Sequence, residues 1–272
     1  MEKYSVLMSL YNKEKPDYLS LAIDSMLNQT IMPDEIVIVE DGPLTEPLYE
    51  IIEKYKKEWP LLFTIVKNET NIGLGLSLNA GLKVCRNELI ARMDTDDISV
   101  STRCEEQLMV FSRNQDLSIV GAWVDEFSES KANIISTRIV PETNEQIYNF
   151  AKRRSAFNHP VVMYKKQSVI ENKGYSDLRR NQDVDLFGRM LFAGYKAYNI
   201  QKSLLLFRSN DALTKRRKSW INTKSYIETI KKFWKMGYSS FGDYVTVLIA
   251  QTAMFIMPLK LQQWVYKKFL RR

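Results

Sequence analysis

The feature that most constrains the fold is a regular alternation of short apolar runs and amphipathic segments over the first hundred residues. The runs of strand length are residues 4–10, 35–39, 62–66 and 88–93. The segments with helical spacing of apolar residues are residues 18–27, 45–58 and 74–84. Strands separated by helices imply parallel crossovers, so the pattern predicts an α/β fold in which helices cover both faces of a sheet.

The pattern is less regular after residue 100. Helical spacing predicts helices near 101–113, 143–151 and 184–193. The strand-like runs are residues 118–127, 134–139, 161–164 and 204–207. From Lys215 onward the signals are helical only, and no low-complexity linker separates this tail from the rest. We therefore expect the tail to pack against the α/β domain.

The composition indicates a cytoplasmic protein. The amino terminus lacks a basic segment followed by an apolar run, which predicts no secretory signal. Two cysteines, Cys85 and Cys104, are too few for a disulfide framework and suit a reducing compartment. No stretch reaches the roughly 18 apolar residues that a membrane-spanning helix needs.

Charge is distributed unevenly along the chain. Residues 201–272 contain 15 Lys/Arg and 3 Asp/Glu, whereas the preceding 200 residues contain 24 and 29. Such asymmetry predicts contact between the tail and an anionic surface, either nucleic acid or acidic lipid. The tail is also apolar at 245–258, and residues 261–270 mix Trp, Tyr and Phe with Lys. This mixture favours a membrane interface over nucleic acid, with a helical hairpin that only covers the domain as the alternative.

Polar residues follow three of the predicted strands. They are Leu10-Tyr11-Asn12, Glu40-Asp41-Gly42 and Met93-Asp94-Thr95-Asp96-Asp97. Parallel strands would bring all three segments to one sheet edge, where ligands bind in α/β folds. Carboxylates are the ligands that Mg²⁺ or Mn²⁺ prefers, so the aspartate cluster predicts a divalent cation beside a phosphate group. The alternative for the cluster alone is a solvated turn that caps the next helix.

Three further motifs have both a functional and a structural interpretation. Asn71-x-Gly73-x-Gly75 resembles a turn that cradles phosphate, but it equally suits a plain helix entry. The lone histidine, His159, is as consistent with a structural role as with a functional one. Gln182-Asp183-Val184-Asp185 is either an acidic helix start or a source of a general base, and spacing does not choose between Asp183 and Asp185.

Seven stretches carry a resemblance to a known family. They are residues 9–14 (SLYNKE), 22–30, 33–52, 71–82, 88–99 (ELIARMDTDDIS), 158–166 and 182–200. Their order resembles that of family 2 glycosyltransferases with the GT-A fold, within which it is similar to bacterial exopolysaccharide enzymes of the amylovoran-biosynthesis type. The matching stretches lie between residue 5 and about residue 210 of the chain.

The resemblance implies an activity and a division of the chain. The expected catalytic domain is residues 1–212, with a nucleotide-sugar-binding half at 1–98 and an acceptor half at 99–212. Residues 213–272 would form a basic, apolar helical region at the cytoplasmic face of the cell membrane. The expected reaction is inverting transfer from a nucleotide sugar, a UDP-sugar, to a lipid-linked glycan acceptor on polyprenyl diphosphate, with Mn²⁺ or Mg²⁺ as cofactor.

The resemblance also implies roles for individual residues. Asp183 would be the catalytic base, Asp96 the principal metal ligand, and Asp94 a neighbour of the ribose and of metal-bound water. The expected donor-binding residues are Leu10, Tyr11, Asn12, Glu14, Asp41, Asn71, Gly73, Asn79, Arg92, Asp94 and Thr95. The residues expected near the acceptor, or in contact with the catalytic and donor-binding residues, are His159, Gln182, Asp185 and Arg208.

The chain departs from the family pattern at three positions. Gln182 replaces a glutamate beside the base, Leu76 stands where relatives often carry a basic residue, and Asn210 replaces a histidine that helps to hold the metal in some relatives. These departures leave open a non-catalytic homologue that binds sugar nucleotides as a scaffold. A nucleotidyltransferase is disfavoured because SLYNKE is not a basic, glycine-rich first loop.

Overall fold

The computed structural model describes residues 2–128, 133–209, 219–258, 261, 262 and 265. The strands are β1 Tyr4–Leu10, β2 Glu35–Asp41, β3 Phe63–Asn68, β4 Leu89–Arg92, β5 Ile98–Ser99, β6 Leu117–Phe127, β7 Ile134–Arg138, β8 Met163–Lys165 and β9 Lys196–Arg208. The helices are α1 Pro16–Leu27, α2 Glu46–Glu58, α3 Leu74–Val84, α4 Arg103–Arg113, α5 Asn144–Ala151, α6 Lys166–Glu171, α7 Gln182–Phe192, α8 Trp220–Lys235 and α9 Phe241–Ile256.

The described strands form one mixed sheet in the order β3-β2-β1-β4-β8-β6-β9-β5, and β7 pairs with β6. Strands β3, β2, β1 and β4 are parallel neighbours, so their carboxyl ends lie at the same edge. Strand β8 runs antiparallel between β4 and β6 and joins the two halves of the sheet. The long parallel ladder between β6 and β9 completes the second half.

Helices cover both faces of the sheet, as the sequence predicts. Successive residues of β1 point to opposite faces: Val6 and Met8 join a core cluster that includes residues of α1, α2 and α4. Leu7 joins a second cluster, with residues of α3, α5, α7 and α8. Gly81 brings α3 close to the sheet, since a Cβ there would lie 2.8 Å from the side chain of Val39. Strands β1, β2 and β4 are therefore buried on both sides, whereas the edge strand β3 is half-buried.

The predicted elements before and after residue 100 match the observed ones within two residues at each end, except for the last strand. The last strand spans Lys196–Arg208 and not only residues 204–207. Its first half mixes polar with apolar residues and gains strand structure from the ladder with β6. The short β5 and α6 were not predicted, and the predicted strand 161–164 begins with a 3-10 turn at His159–Val161.

Helices α8 and α9 follow the sheet and pack on it unequally. Helix α8 buries Ile230 and Phe233, and the Phe233 ring lies over Gly188 of α7. Helix α9 is held by an ion pair between Arg153 and Asp243, but Ile249 and Ile256 remain 63% and 74% exposed. None of the helices described here is long and apolar enough to span a membrane.

Several predictions fall outside the described residues. They concern the domain boundary at 212, Asn210, Trp264, Tyr266, Lys267, Lys268, Phe269, Arg271 and Arg272.

Candidate active site

Three strand ends meet at the carboxyl edge of the parallel half of the sheet. Strand β1 pairs with β2 on one side and with β4 on the other, so the residues after each strand are neighbours. This topology brings Tyr11, Asp41 and Asp94 to one edge, as the sequence predicts. The Leu10 side chain is fully buried in the core, while Asn12 is exposed at the start of the following turn.

The aspartate cluster after β4 forms a compact group of oxygen atoms. One carboxylate oxygen each from Asp94, Asp96 and Asp97 lies within 4.8 Å of the others. Burial and the charge of Asp94 raise the pKa of Asp96 to about 7, and burial with the charge of Asp96 raises the pKa of Asp97 well above its ordinary value. Oδ1 of Asp97 accepts the backbone N–H of Arg208 at 2.8 Å, whereas Oδ2 has no partner among the described residues.

Arg92 lies beneath this cluster as a buried cation. Its side chain is 2% exposed, and its Nη2 atom lies 2.5 Å from a carboxylate oxygen of Asp94. Burial opposes its charge, but Asp94 outweighs that effect and the pKa of Arg92 is raised. The Nε and Nη1 atoms have no hydrogen-bond partner in the described part of the chain. Arg92, which was predicted to bind the donor, therefore faces Asp94 rather than open solvent.

Polar contacts connect the cluster with neighbouring elements. Thr95 donates its hydroxyl hydrogen to Glu14 at 3.0 Å, and burial raises the pKa of Glu14. The Nε of Arg208 donates to the backbone oxygen of Asp96 at 2.8 Å, and the guanidinium lies 3.8 Å from the ring centroid of Tyr18. Strand β9 and the turn before α1 thus hold the cluster from two sides.

Asp41 organises the loop that precedes α3. Its carboxylate accepts hydrogen bonds from the backbone N–H groups of Ile72 at 2.7 Å and Gly73 at 3.1 Å. Its backbone oxygen accepts a hydrogen bond from Nδ2 of Asn71. The close approach requires glycine at position 42, which has a φ of +85° and where a Cβ would lie 2.7 Å from the backbone nitrogen of Asn71. The sequence motif at 71–75 is therefore a helix entry tied to the end of β2.

Asp183 and Asp185 differ sharply in their surroundings. Asp185 is fully buried and paired with Arg189 and Lys232, and it accepts a hydrogen bond from Ser176. Burial opposes its charge, but these partners outweigh it and lower its pKa. Burial raises the pKa of Asp183, and only weaker effects, including the charge of Arg92, oppose the rise. A base needs a free carboxylate, and Asp183 fits that requirement better than Asp185.

Arg92 connects Asp183 with the aspartate cluster. Its charge lowers the pKa of Asp183, and it forms the ion pair with Asp94. Tyr175 lies in the same region, because its pKa responds to the charges of Asp183, Asp94 and Arg92 after the larger effect of burial. The charge of one buried guanidinium therefore acts on both the candidate base Asp183 and the cluster residue Asp94.

Tyr175 is a residue that the sequence analysis missed. Its hydroxyl lies 2.9 Å from Nε2 of His159, and both rings are buried. Asn79 holds the backbone of Tyr175 through two hydrogen bonds of 2.8 Å. Burial lowers the pKa of His159 well below its ordinary value, which keeps the imidazole neutral behind the site. No local motif marks Tyr175, because its partners lie far away along the chain.

Gln182 begins α7 beside Asp183. Its side chain is 6% exposed and packs against Gly75, where a Cβ would lie 3.2 Å from its Cγ atom. Its Oε1 atom has no hydrogen-bond partner within the described residues. The neutral amide therefore occupies the space beside the candidate base without adding a second charge there.

Comparisons with known proteins place the chain in a family. The family model described as "Glycosyl transferase family 2" matches residues 5–179. The chain belongs to this family. It is 34% identical over 265 residues to the amylovoran biosynthesis glycosyltransferase AmsE of Erwinia amylovora, covering 97% of the chain and 98% of the relative. It is also 34% identical over 271 residues to the UDP-Gal:alpha-D-GlcNAc-diphosphoundecaprenol beta-1,3-galactosyltransferase of Escherichia coli, covering 99% and 97%.

Solved structures support the same fold. The mannosyltransferase PcManGT from Pyrobaculum calidifontis, in complex with GDP-Man and Mn²⁺, superposes with a TM-score of 0.67 at 13% identity, over 96% of the chain and 72% of that protein. The S. aureus TarS 1–349 structure in complex with UDP gives a TM-score of 0.62 at 17% identity, over 97% and 78%. The sheet and its helices thus form the GT-A fold of this inverting glycosyltransferase family.

Proposed function

We propose that the chain is a metal-dependent, inverting glycosyltransferase that moves a sugar from a UDP-sugar to a glycan carried on a polyprenyl diphosphate. The observation that carries the proposal is the compact group of carboxylate oxygens from Asp94, Asp96 and Asp97, together with the charge of Arg92, which pairs with Asp94 and lowers the pKa of Asp183. Transfer from a nucleotide sugar requires a group that neutralises the diphosphate and another that accepts a proton. The acidic cluster and Asp183 supply the two groups.

The cluster fits Mn²⁺ or Mg²⁺ by its chemistry. It offers oxygen atoms only, and Oδ2 of Asp97 is buried without a partner among the described residues. We infer that Asp96 is the principal ligand and that Asp94 lies near it beside the ribose. A bound divalent cation would neutralise the charge of the departing diphosphate.

Asp183 is the base in this proposal. Its carboxylate takes the proton from an acceptor hydroxyl as that oxygen bonds to the anomeric carbon of the donor sugar. The bond between the anomeric carbon and the diphosphate oxygen breaks in the same step, so the configuration inverts. The raised pKa of Asp183 supports this role, because a base works best when its pKa lies near the operating pH.

The remaining donor contacts follow from the position of each residue at the sheet edge. We assign the base and ribose of the donor to the edge that Tyr11, Asp41 and Asn71 share. Glu14, Gly73 and Thr95 shape the loops of this edge through hydrogen bonds. Arg92 and Asn79 act through Asp94 and Tyr175, because their polar groups contact those residues.

The near full-length similarity to two relatives supports the choice of substrates. The E. coli relative is a galactosyltransferase with UDP-Gal as donor and GlcNAc-diphosphoundecaprenol as acceptor. A lipid-linked acceptor lies at a membrane surface, and α8 and α9 expose Trp220, Ile221, Ile249 and Ile256. Together with the basic tail, this apolar surface supports a peripheral position at the cytoplasmic face of the cell membrane, with no role in nucleic-acid binding.

The test is nucleotide release from UDP-, GDP- and dTDP-sugars in the presence of a lipid-diphosphate-linked acceptor, with Mn²⁺, with Mg²⁺ and with EDTA. We expect release from a UDP-sugar only, with loss of release in EDTA. Asp183→Asn should abolish transfer and leave the affinity for UDP unchanged. Full turnover by that variant would contradict the role of Asp183. A non-catalytic scaffold would bind UDP-sugar and release no nucleotide in any of these mixtures.

A further inference from the structure

A cavity of about 370 Å³ lies between the starts of α3 and α8 and the segment that precedes α7. Its volume lies in the range of about 300–1,000 Å³ that small-molecule sites occupy. Three segments form its walls: residues 71–76 at the start of α3, residues 176–180 between α6 and α7, and residues 219–222 at the start of α8. Ser176 in the second wall donates a hydrogen bond to Asp185, so the cavity adjoins the first turn of α7.

The charges around the cavity favour an anion. Arg179 and Arg180 line it, and neither forms an ion pair with any described residue. Asp177 is the one acidic side chain among the described lining residues, so the arginines outnumber it. Two guanidinium groups without a carboxylate partner are well suited to the oxygen atoms of phosphate groups.

Two helices present their positive ends to the same cavity. The first-turn N–H groups of a helix lack partners inside the helix and favour negative charge. Among the described helices of eight or more residues, only α3 and α8 lack an acidic residue in the first turn. Both of these helices begin at the cavity walls. At α3 the Asp41 carboxylate already accepts the N–H groups of Ile72 and Gly73, so among these described helix starts only that of α8 has no carboxylate on it.

The surroundings of the cavity differ at its two ends. Towards α7, Gln182 packs against Gly75 of the cavity wall, and its buried Oε1 atom has no partner among the described residues. An unpaired amide oxygen can accept a hydrogen bond from a sugar hydroxyl. Towards α8, Ile221 lines the cavity and is 58% exposed, and the neighbouring Trp220 packs against Phe255. The cavity and its immediate surroundings thus contain a polar amide, two cations and exposed apolar side chains.

We propose that this cavity binds the diphosphate of the prenyl-linked acceptor, with Arg179 and Arg180 as its charged contacts. The sugar end then points to Gln182 and Asp183, and the prenyl chain leaves over Trp220 and Ile221. The inference rests on the proposed function for the identity of the acceptor. The other source of a diphosphate is the donor, which the proposed function places at the aspartate cluster with its base and ribose near Asn71 of the same cavity wall, and the experiment distinguishes the two.

The first experiment measures equilibrium binding of farnesyl diphosphate, and separately of UDP, to the full chain. Arg179→Ala combined with Arg180→Ala should weaken farnesyl diphosphate binding by about tenfold or more, because charge-assisted hydrogen bonds are lost. The affinity for UDP should stay unchanged. The matched control combines Lys83→Ala with Arg113→Ala, two exposed cations on α3 and α4. It removes the same charge and should leave both affinities unchanged, while Arg179→Lys with Arg180→Lys should retain most of the binding.

The second experiment compares the KM of one acceptor sugar attached to a prenyl diphosphate with that of the same sugar on a neutral alkyl group. The double alanine variant should raise the KM for the diphosphate acceptor by about tenfold or more and leave that for the neutral acceptor unchanged. Unchanged farnesyl diphosphate binding, or an equal loss of UDP affinity, would overturn the inference. If the wild-type chain transfers no sugar yet binds farnesyl diphosphate through these arginines, the proposed function fails and the cavity assignment stands.

Discussion

Asp183 and Asp185 lie two residues apart on α7, and their surroundings predict opposite effects on stability. Asp185→Asn should lower the free energy of unfolding by about 2 kcal/mol or more, because it leaves Arg189 and Lys232 without their common carboxylate. The exposure of Lys232 keeps the effect below that of a fully buried pair. Asp183→Asn should leave the protein equally stable or more stable at neutral pH, since burial disfavours the charge of Asp183.

Urea unfolding of both variants, with UDP binding as a check on the folded state, measures this difference. A loss of stability in Asp183→Asn that equals the loss in Asp185→Asn would contradict the separate roles. Activity alone would not discriminate between them, because an unfolded Asp185→Asn protein is also inactive.

The raised pKa values of the aspartate cluster predict a pH dependence of stability in EDTA. Asp96, with a pKa of about 7, keeps a proton in the folded state that the unfolded chain releases above about pH 4. Stability should therefore fall as pH rises from about 4 to 7, and the raised pKa values of Asp97 and Glu14 act in the same direction. His159 acts in the opposite direction, because it is neutral in the folded protein. The free energy of unfolding therefore rises as the pH rises through the pKa that this histidine has in the unfolded chain.

Asp96→Asn tests this prediction. Between pH 5 and pH 8 the variant should lose less stability than the wild-type chain, by about 1–4 kcal/mol. The measurement is urea unfolding at both pH values in EDTA. If the free energy of unfolding falls by the same amount between pH 5 and pH 8 in the variant and in the wild-type chain, Asp96 does not cause the effect.

The site could be predicted from the sequence where its residues are contiguous. Asp94, Asp96 and Asp97 stand together after an apolar strand, so their chemistry and their sheet edge are both visible in the sequence. The burial of Arg92 and the contact of Tyr175 with His159 depend on packing between distant segments. Local patterns do not encode such contacts, and the family resemblance alone indicated a donor-binding role for Arg92.

At the scale of elements, the contact between α7 and α8 depends on the absence of a side chain at Gly188. A Cβ at this position would lie 2.6 Å from Cε2 and 2.8 Å from Cε1 of Phe233. Gly188→Ala should therefore lower the free energy of unfolding by about 1–3 kcal/mol, despite the better helix propensity of alanine.

A double-mutant cycle with Phe233→Leu gives the control. In the Phe233→Leu background the cost of Gly188→Ala should shrink by about 1 kcal/mol or more, because the smaller side chain leaves room for the new methyl group. Additive effects of the two substitutions on the free energy of unfolding would refute the contact as the cause.

Elements with clear apolar periodicity were predictable, and elements defined by their neighbours were not. Strands β1 and β2 are buried on both faces and read as continuous apolar runs. The first half of β9 contains Lys196, Asn199 and Lys202, which hide its strand character. Parallel pairing of this half with β6 supplies the order that its local sequence lacks, whereas β5 pairs with the second half of β9.

At the scale of the whole molecule, the exposed apolar residues of α8 and α9 predict membrane binding. Trp220, Ile221, Ile249 and Ile256 are all at least half exposed, and the chain from residue 201 onward has an excess of positive charge. Apolar side chains beside basic residues suit the interface of an anionic bilayer. The alternative is that these helices only cover the catalytic domain, which the burial of Phe233 in α8 also supports.

Ile249→Glu combined with Ile256→Glu decides between these alternatives, since both side chains are exposed and their replacement should spare the fold. Cosedimentation with vesicles that contain phosphatidylglycerol should weaken by about tenfold or more, because two apolar contacts with the bilayer are lost. The matched control combines Ile134→Glu with Ile135→Glu on β7, whose side chains are 42% and 56% exposed; it adds the same charge and should leave vesicle binding unchanged. Binding should also weaken at high salt and on phosphatidylcholine vesicles, because the basic residues then lose their attraction to the surface. Equal sedimentation of the wild-type chain and the α9 variant would instead assign α9 to covering the domain alone.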